Sequence, residues 1–563
     1  MTLAPRFLVN FWAGLLATRF ARGLRARGRA DADQRAAYAH LVARLARAEY
    51  GRAAGIAADM PYARFRSSVP PRPTAFFKDH AERMGAGEPG VLWPGRCRFF
   101  VETAGTTGES LHLPVTGGML AHYRAGLRDA LLLYAARAGH AGVFLGRHVH
   151  TGPSTALTHI NDVYTGGLDA MLALCLTPWV EANLYAPASP VTHLPDGPEK
   201  YAAIARTMSG RDVTLIGGLP SAVLGTIDAV RLAASRGQMK IPPLRALWPN
   251  LECFLHTGAP LGLFEEELRA TLGPDVAFHE LYAAAEGIIA AQDSGAGPGL
   301  RLLTGTGLFF EFLPVADYHP DRLAALGPQC RPLADVEAGV DYVLVLTTPA
   351  GLVRCVPGDV VRFLSVDPPR LVFAGRTALR LDAFGEGVDE RLLTESLLAV
   401  CNGNDWNAVN FHVAPYHSRN AAGAARHCHE WWVELRPGTV KTPMGAILAG
   451  MLDTELICRV PAYAARRRAG TLEAPVVRLV MPGLFGHWAH GAATVGSASK
   501  MPRCRPDRLI ADQLAEIARF ATTEAPFGVK PSTTHRPFTP APLPTAPGSV
   551  PNPLQVSREP FRS

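Results

Sequence analysis

Five short stretches of the chain, taken in order, carry residue types that can handle a nucleotide. The first is FFVETAGTTGESLHLPVT, Phe99 to Thr116, in which an apolar run feeds a Thr/Gly turn. Thr103, Gly105, Thr106, Thr107 and Gly108 would offer backbone N–H groups and hydroxyls in a concave nest suited to polyphosphate oxygens. Ordinary turns use the same residues, so this stretch alone decides little. LHTGAPL, Leu255 to Leu261, ends a strand candidate in small residues that let a flat ring approach the backbone. ELYAAAEGIIAAQD, Glu280 to Asp293, sets an aromatic and three alanines ahead of Glu286 and Gly287. In GLVRCVPGDVVRF, Gly351 to Phe363, Asp359 follows Gly358 at the entry to a strand. In FAGRTALRLDAFGEG, Phe373 to Gly387, Gly375-Arg376 falls where the composition changes. Each stretch alone reads more readily as a turn or as core packing; their joint order does not.

The elements that must position these residues follow an α/β pattern. Residues 1–60 read as helical, and the Pro-dense stretch Pro61–Pro73 ends that run. From Phe99 to Arg376, short β-rich runs alternate with Ala/Leu helical stretches, which argues for α/β layering. Strand candidates are Val213–Ile216, Phe309–Leu313, Tyr342–Thr347, Val360–Val366 and Leu371–Phe373, each bounded by Gly or Pro. After Arg376 the pattern changes, with strands expected at Trp431–Leu435 and Val476–Met481 and helices at Glu390–Val400, Leu448–Ile457 and Arg508–Ala521. The expected architecture is a large N-terminal α/β domain over 1–376 and a smaller, mobile C-terminal α+β domain over 377–527. A disordered Pro/Ser/Thr-rich tail is expected over 528–563.

Composition sets the class. The chain has 563 residues, 48% hydrophobic and 19% charged, a globular balance too long for one core. The nine cysteines are odd in number and never spaced C-x-x-C, as in a cytoplasmic protein with reduced thiols. The net charge of +7 comes from 56 basic and 49 acidic residues interspersed along the chain, which argues against nucleic acid. Six of the 56 basic residues are lysines, so a lysine inside a motif is informative. No apolar run is long enough for a membrane span. The N-terminal stretch reads as an amphipathic helix with Phe7, Phe11, Leu15 and Leu16 facing the body.

In its motifs the chain resembles the adenylate-forming superfamily, and within it the auxin-responsive-promoter-type acyl acid amido synthetases and their bacterial relatives. The resemblance runs from EYGRAAGI at Glu49 through GEPGVLWPG, the Thr103–Gly108 loop, LWPNLE at Leu247 and HEWWVEL to SKMPRCRPDR at Ser499. It implies that Thr103, Gly105, Thr106, Thr107 and Gly108 hold the β- and γ-phosphates of ATP. It implies that Tyr282 stacks on adenine, with Thr257, Gly258 and Ala259 lining the base pocket. Glu286 would bind Mg²⁺, Asp359 the ribose hydroxyls, and Arg376 the ribose or phosphate at the hinge. Lys500 would reach from the small domain toward the acyl carboxylate and the α-phosphate. The implied chemistry joins a small carboxylic acid to an amine or amino acid through acyl-AMP, in a monomeric enzyme.

The chain departs from this pattern in places. The family's phosphate loop continues with lysines, where this chain has Glu109 and Leu111. Leu281 and Ala285 replace the usual Thr and Ser, Cys355 replaces a common aromatic, and Gly496–Lys500 reads GSASK. A carboxylate beside a triphosphate is unfavourable unless it points away or an arginine replaces the missing cation. Two alternatives therefore stand beside the ligase: a non-catalytic relative that binds an acyl ligand or a partner, and an acyl-CoA ligase. His427-Cys428-His429-Glu430 fits no closed zinc spacing and is expected to be structural. No G-x-S-x-G elbow is present, and Gly305-Thr306-Gly307 lacks the context of a dinucleotide fingerprint.

Overall fold

Val213–Gly217 and Cys253–Thr257 are almost wholly buried runs, as strands covered on both faces must be. Successive residues point to opposite sides. Phe254 packs toward the helices Pro198–Met208 and Pro220–Ser235, whereas Cys253 packs with Leu215 against Tyr134 of the helix Gly117–Ala138. The computed structural model describes residues 6–24, 26, 28–103, 110–235, 241–257, 261, 264–293, 299–419, 425–436, 444–491 and 501–523. The expected tail over 528–563 lies outside them.

Among the described residues the main sheet has fourteen strands. One half is parallel, in the spatial order Tyr185–Ala186, Arg147–His150, Val213–Gly217, Cys253–Thr257 and Ala277–Ala284. At Ala277–Ala284 the direction reverses. Gly287–Ala291, Leu300–Leu302, Pro369–Arg376, Asp359–Val366 and Asp341–Thr347 then follow, each antiparallel to its neighbour. The helix Gly117–Ala138 lies against the reversal, close enough that a Cβ on Gly126 would come within 2.8 Å of Ile288. Helices on the faces of a largely parallel half-sheet give the expected α/β class.

A buried ion pair ties the N-terminal helices to this sheet. Arg354 donates from Nε and Nη2 to Glu311, both at 2.9 Å, with both side chains almost fully enclosed. Its remaining N–H groups go to the carbonyls of Arg66, Val69 and Gly327, and Tyr62 Oη donates to Glu311. Tyr62 belongs to the helix Tyr62–Ser68, which lies within the Pro-dense stretch read as a terminator.

After Arg376 a short hairpin, Arg380–Leu381 with Val388–Asp389, leads into a second unit. Its strands Ala408–Arg419, Ala425–Leu435 and Val476–Val480 form a separate sheet. The helices Glu390–Asn402, Gly445–Arg459 and Pro461–Arg468 supply Leu397, Leu448, Leu452 and Tyr463 to a core centred on Trp431. Of the clustered residues at 427–430, His429 pairs with buried Glu386 at 3.0 Å, and Glu430 is held by Arg478 and Arg508. These are structural pairings.

The N-terminal helix Arg6–Leu24 corrects the sequence expectation. Phe11, Leu15 and Leu16 face outward, and it is Ala13 and Ala17 that pack with Ala135 and Ala141. Asn10 Oδ1 accepts from the backbone N–H of Ala141, which fixes the same face inward. Small side chains let the helix lie close to Gly117–Ala138; Phe20 and Leu24 near its end pack on the core, and Phe11, Trp12, Leu15 and Leu16 are left outside. No described helix is long and apolar enough to cross a membrane.

Candidate active site

The reversal of strand direction falls at the segment Tyr282–Gly287, where the carboxyl ends of the parallel strands meet the antiparallel half. Open α/β sheets bind their ligands at such points. Tyr282 lies near the end of Ala277–Ala284, and its hydroxyl donates to Asp359 Oδ2 at 2.6 Å. Arg376 donates from Nε to Asp359 Oδ1 at 3.0 Å. Asp359 and Arg376 are register partners across one hairpin, the first residue of one strand against the last residue of the next. Two residues from separate motifs thus share the carboxylate of a third. An ionised carboxylate has about four acceptor sites, so Asp359 retains capacity for hydroxyl donors beyond these two partners.

Glu286 sits in the turn that follows, only 8% exposed. Burial, reinforced by the charge of Asp359, holds its carboxyl above the ordinary range. Thr74 Oγ1 donates to Glu286 Oε1 at 3.1 Å and lies 3.2 Å from Cys355 Sγ. The turn is clamped from the helix Gly117–Ala138. Tyr123 Oη donates to Ala285 O at 2.6 Å, and His122 Nε2 accepts from the Ile288 backbone N–H at 2.9 Å. His122 Nδ1 lies 3.0 Å from the Thr306 carbonyl, which makes it the protonated nitrogen of a neutral ring. Burial pushes the His122 pKa down to about 4, in keeping with that tautomer. Gly287 has φ +154°, and a Cβ there would come within 2.9 Å of His122 Nε2 and 2.7 Å of Leu308, so glycine is required beside Glu286.

Thr257 also borders this region, and Thr103 opens the Thr/Gly loop. Thr257 ends its strand in register with Leu281, the neighbour of Tyr282. The Thr103 hydroxyl accepts from the Leu111 backbone N–H at 2.9 Å, and the Thr103 N–H donates to Leu111 O at 2.8 Å, closing the neck of the Thr/Gly loop. Gly105, Thr106, Thr107, Gly108, Gly258, Ala259 and Lys500 lie outside the described residues. The segment that follows Lys500 is anchored on the small unit. The Val413 N–H donates to Arg503 O, and the Arg503 N–H donates to Glu390 Oε1 at 3.0 Å. The Glu390 carboxylate in turn adds to the charge acting on Arg376.

Among the described residues, no group of three or more His, Cys, Asp or Glu side chains could hold a metal ion. One buried carboxylate with oxygen neighbours suits a Mg²⁺ ion that brings substrate phosphates and waters as its other ligands, which is how this ion is usually held. The donor set therefore fits Mg²⁺ carried with a nucleotide and does not fit a resident all-protein site.

Thr74, His122 and Tyr123 were absent from the sequence reading. Thr74 is 212 residues from Glu286 and belongs to no motif. Pairing of Arg72–Pro73 with Cys355–Val356 brings it in, and nothing in local spacing could have signalled it.

Comparison with known proteins gives a consistent result. The GH3 family N-terminal domain matches residues 24–161, the GH3 family central domain residues 301–376, and the GH3 family C-terminal domain residues 395–508. Together they take in more than half of the chain. A probable indole-3-acetic acid-amido synthetase, GH3.12, of Oryza sativa subsp. japonica is 27% identical over 289 residues, 46% of this chain and 47% of the relative. A GH3 domain-containing protein of Mus musculus is 28% identical over 305 residues, 52% of this chain and 54% of the relative. The chain thus spans about half the length of these curated relatives. Among solved structures, AtGH3.15 acyl acid amido synthetase in complex with 2,4-DB superposes with TM-score 0.70 at 17% identity, covering 87% of this chain and 93% of that one. A 2-hydroxyisobutyryl-CoA ligase superposes with TM-score 0.54 at 13% identity, covering 88% and 93%. Both structural matches are likenesses of fold: a large N-terminal domain followed by a C-terminal domain.

Proposed function

The chain belongs to the GH3 family, and from that premise we propose that it is an ATP-dependent ligase that activates a small carboxylic acid as acyl-AMP and transfers the acyl group to an amine or amino acid. The observation that carries this reading is the convergence of Tyr282 and Arg376 on the Asp359 carboxylate, with buried Glu286 beside them at the strand reversal.

Asp359 holds the ribose through hydroxyl donors, and Arg376 and Tyr282 keep its carboxylate oriented. The Thr103–Gly108 loop receives the β- and γ-phosphates, and Thr257, Gly258 and Ala259 border the base beside Tyr282. Glu286, oriented by the hydroxyl of Thr74, would present its carboxylate to Mg²⁺, which, when bound, neutralises phosphate charge and orients the α-phosphate. Lys500 offsets the charge of two anions brought together. The acyl carboxylate attacks the α-phosphorus, the bond to the bridging oxygen breaks, and pyrophosphate leaves. The amine nitrogen then attacks the acyl carbon and loses a proton as AMP departs. Little covalent chemistry is asked of the protein; orientation and charge neutralisation supply the rate. A small domain beginning after Arg376 that rotates between the two steps completes the reading.

One observation favours a second reading, a non-catalytic acyl-binding relative. Leu111, at one of the positions where the family's loop has a cation, packs its side chain against the N-terminal core. Carboxylate-dependent exchange of labelled pyrophosphate into ATP separates the two, because only the ligase supports it. Amide formation on adding amino acids, with no thioester on adding coenzyme A, then distinguishes the ligase from an acyl-CoA ligase. Exchange with no carboxylic acid in a broad panel would overturn the proposal.

A further inference from the structure

The helix Arg6–Leu24 turns a continuous apolar face to solvent. Phe11 is 62% exposed, Trp12 and Leu16 each 57%, Leu15 40% and Leu8 37%. Phe11 and Trp12 pack edge to face, their ring centroids 5.6 Å apart, and form one aromatic ridge. At 100° per residue, Leu8, Phe11, Trp12, Leu15 and Leu16 lie on one side of the helix, and exposed Arg19 and Arg22 continue that side toward its C-terminal end. The opposite side is committed to the body through Ala13, Ala17 and Asn10. The face therefore cannot turn inward without undoing that packing.

Charge indicates the occupant. The first thirty residues contain six arginines and no acidic residue, the first carboxylate being Asp31. A second copy of this helix would bring only more cations to meet Arg19 and Arg22, and a neutral apolar protein surface would leave them unanswered. An anionic bilayer surface answers both features, taking apolar and aromatic side chains at the headgroup boundary and arginines among the phosphates. We propose that this helix docks the protein on an anionic phospholipid surface, lying in the interface plane without crossing it.

The proposal is independent of the amide-ligase reading and is tested without catalysis. The full chain is floated with vesicles of phosphatidylcholine alone and with vesicles containing phosphatidylglycerol at a fraction of about one third. The expected result is at least about tenfold more protein with the anionic vesicles at low salt, declining as salt rises. Trp12→Asp with Leu15→Asp should abolish flotation. Arg19→Glu with Arg22→Glu should remove the preference for anionic lipid while leaving the apolar ridge intact. All four positions are exposed, so unchanged circular dichroism and melting temperature are expected and would show that lost binding is local. Absence of flotation by the parent protein, or equal flotation with both vesicles, overturns the proposal. So does concentration-dependent dimerisation abolished by Trp12→Asp with Leu15→Asp in the absence of lipid, since the face would then belong to a second copy.

Discussion

Asp359 and Arg376 stand directly opposite one another on antiparallel strands, joined at 3.0 Å, with Tyr282 donating to the other carboxylate oxygen. The arrangement links the last residue before the small unit to the carboxylate proposed to hold the ribose. A movement of the proposed hinge that displaced Arg376 would therefore be felt at the proposed nucleotide site.

Asp359→Asn tests that link. The variant keeps the side chain's size but presents one acceptor oxygen in place of two, so Arg376 and Tyr282 cannot both retain a carboxylate partner. The KM for ATP in pyrophosphate exchange should rise by a factor on the order of 10–100, the scale of a charge-assisted hydrogen bond. A KM within twofold of the parent's would place the nucleotide elsewhere.

Much of this site was legible in the sequence because it is built from local signals. Asp359 stands where Gly358 ends a turn and a β-branched run begins, and Arg376 closes the strand that pairs with it. Glu286 follows an aromatic and three alanines and precedes a glycine that the structure shows to be obligatory. What stayed hidden depends on contacts between distant segments. Thr74 reaches Glu286 only because a two-residue strand pairs parallel to Cys355–Val356. The helix Arg6–Leu24 misled because periodicity marks an apolar face without saying which face packs. There, close approach of two helices selected Ala13 and Ala17 over their larger neighbours. Buried Arg354 gave no sign either, since its partner Glu311 lies 43 residues away inside a strand that reads as apolar.

The Glu286 carboxyl sets a pH-dependent prediction. Burial, then the charge of Asp359, raises its pKa, so the folded protein favours the protonated form. The stabilising contribution of such a group is present below the ordinary carboxylate range and is lost as pH rises through the raised value. Glu286→Gln holds the neutral state at every pH. Without Mg²⁺ the variant should melt above the parent at pH 7.5, and the difference should close as pH falls toward about 4. With Mg²⁺ and ATP the order should reverse, because only the parent offers the ion a charge. Identical melting temperatures at pH 7.5 with an unchanged Mg²⁺ requirement would make Glu286 a structural residue.

Thr74 is proposed to position Glu286. Thr74→Val removes the hydroxyl at nearly constant volume and leaves one carboxylate oxygen without its donor. The Mg²⁺ concentration for half-maximal exchange should rise on the order of tenfold, as expected when a group that orients a metal ligand is lost. Thr74→Ser should restore it. The split between valine and serine separates a hydroxyl's role from loss of packing, which the two variants would not share in this pattern.

Arg354 is a stability prediction. Its guanidinium answers Glu311 and three carbonyls in a site closed to water. Arg354→Met leaves Glu311, among the described residues, with only Tyr62 as a side-chain hydrogen-bond donor, and breaking a buried pair on one side costs about 3–5 kcal/mol. The midpoint of urea unfolding should fall accordingly, while the KM for ATP of the folded fraction stays near the parent's. Replacing both partners with apolar residues should recover part of the loss. An unchanged midpoint in Arg354→Met would mean that the pair contributes nothing to stability.

Lys500 tests the division of labour between the two steps. Its assignment comes from the late motif, where a lysine is informative because only six occur in the chain. The segment that follows is fastened to the small unit through Val413 and Glu390, so a cation at this position would move with that unit. Such a group can offset charge while carboxylate and α-phosphate are held together and withdraw when the small domain rotates. Lys500→Ala should slow acyl-AMP formation by a factor on the order of 10²–10³, the scale for removing one preorganised charge-stabilising donor. Amide formation from supplied acyl-AMP should fall far less, since that step no longer joins two anions. Rapid-quench measurement of each half-reaction decides the matter. Equal losses in both would point to a shared or folding role, and no loss in either would remove Lys500 from the site.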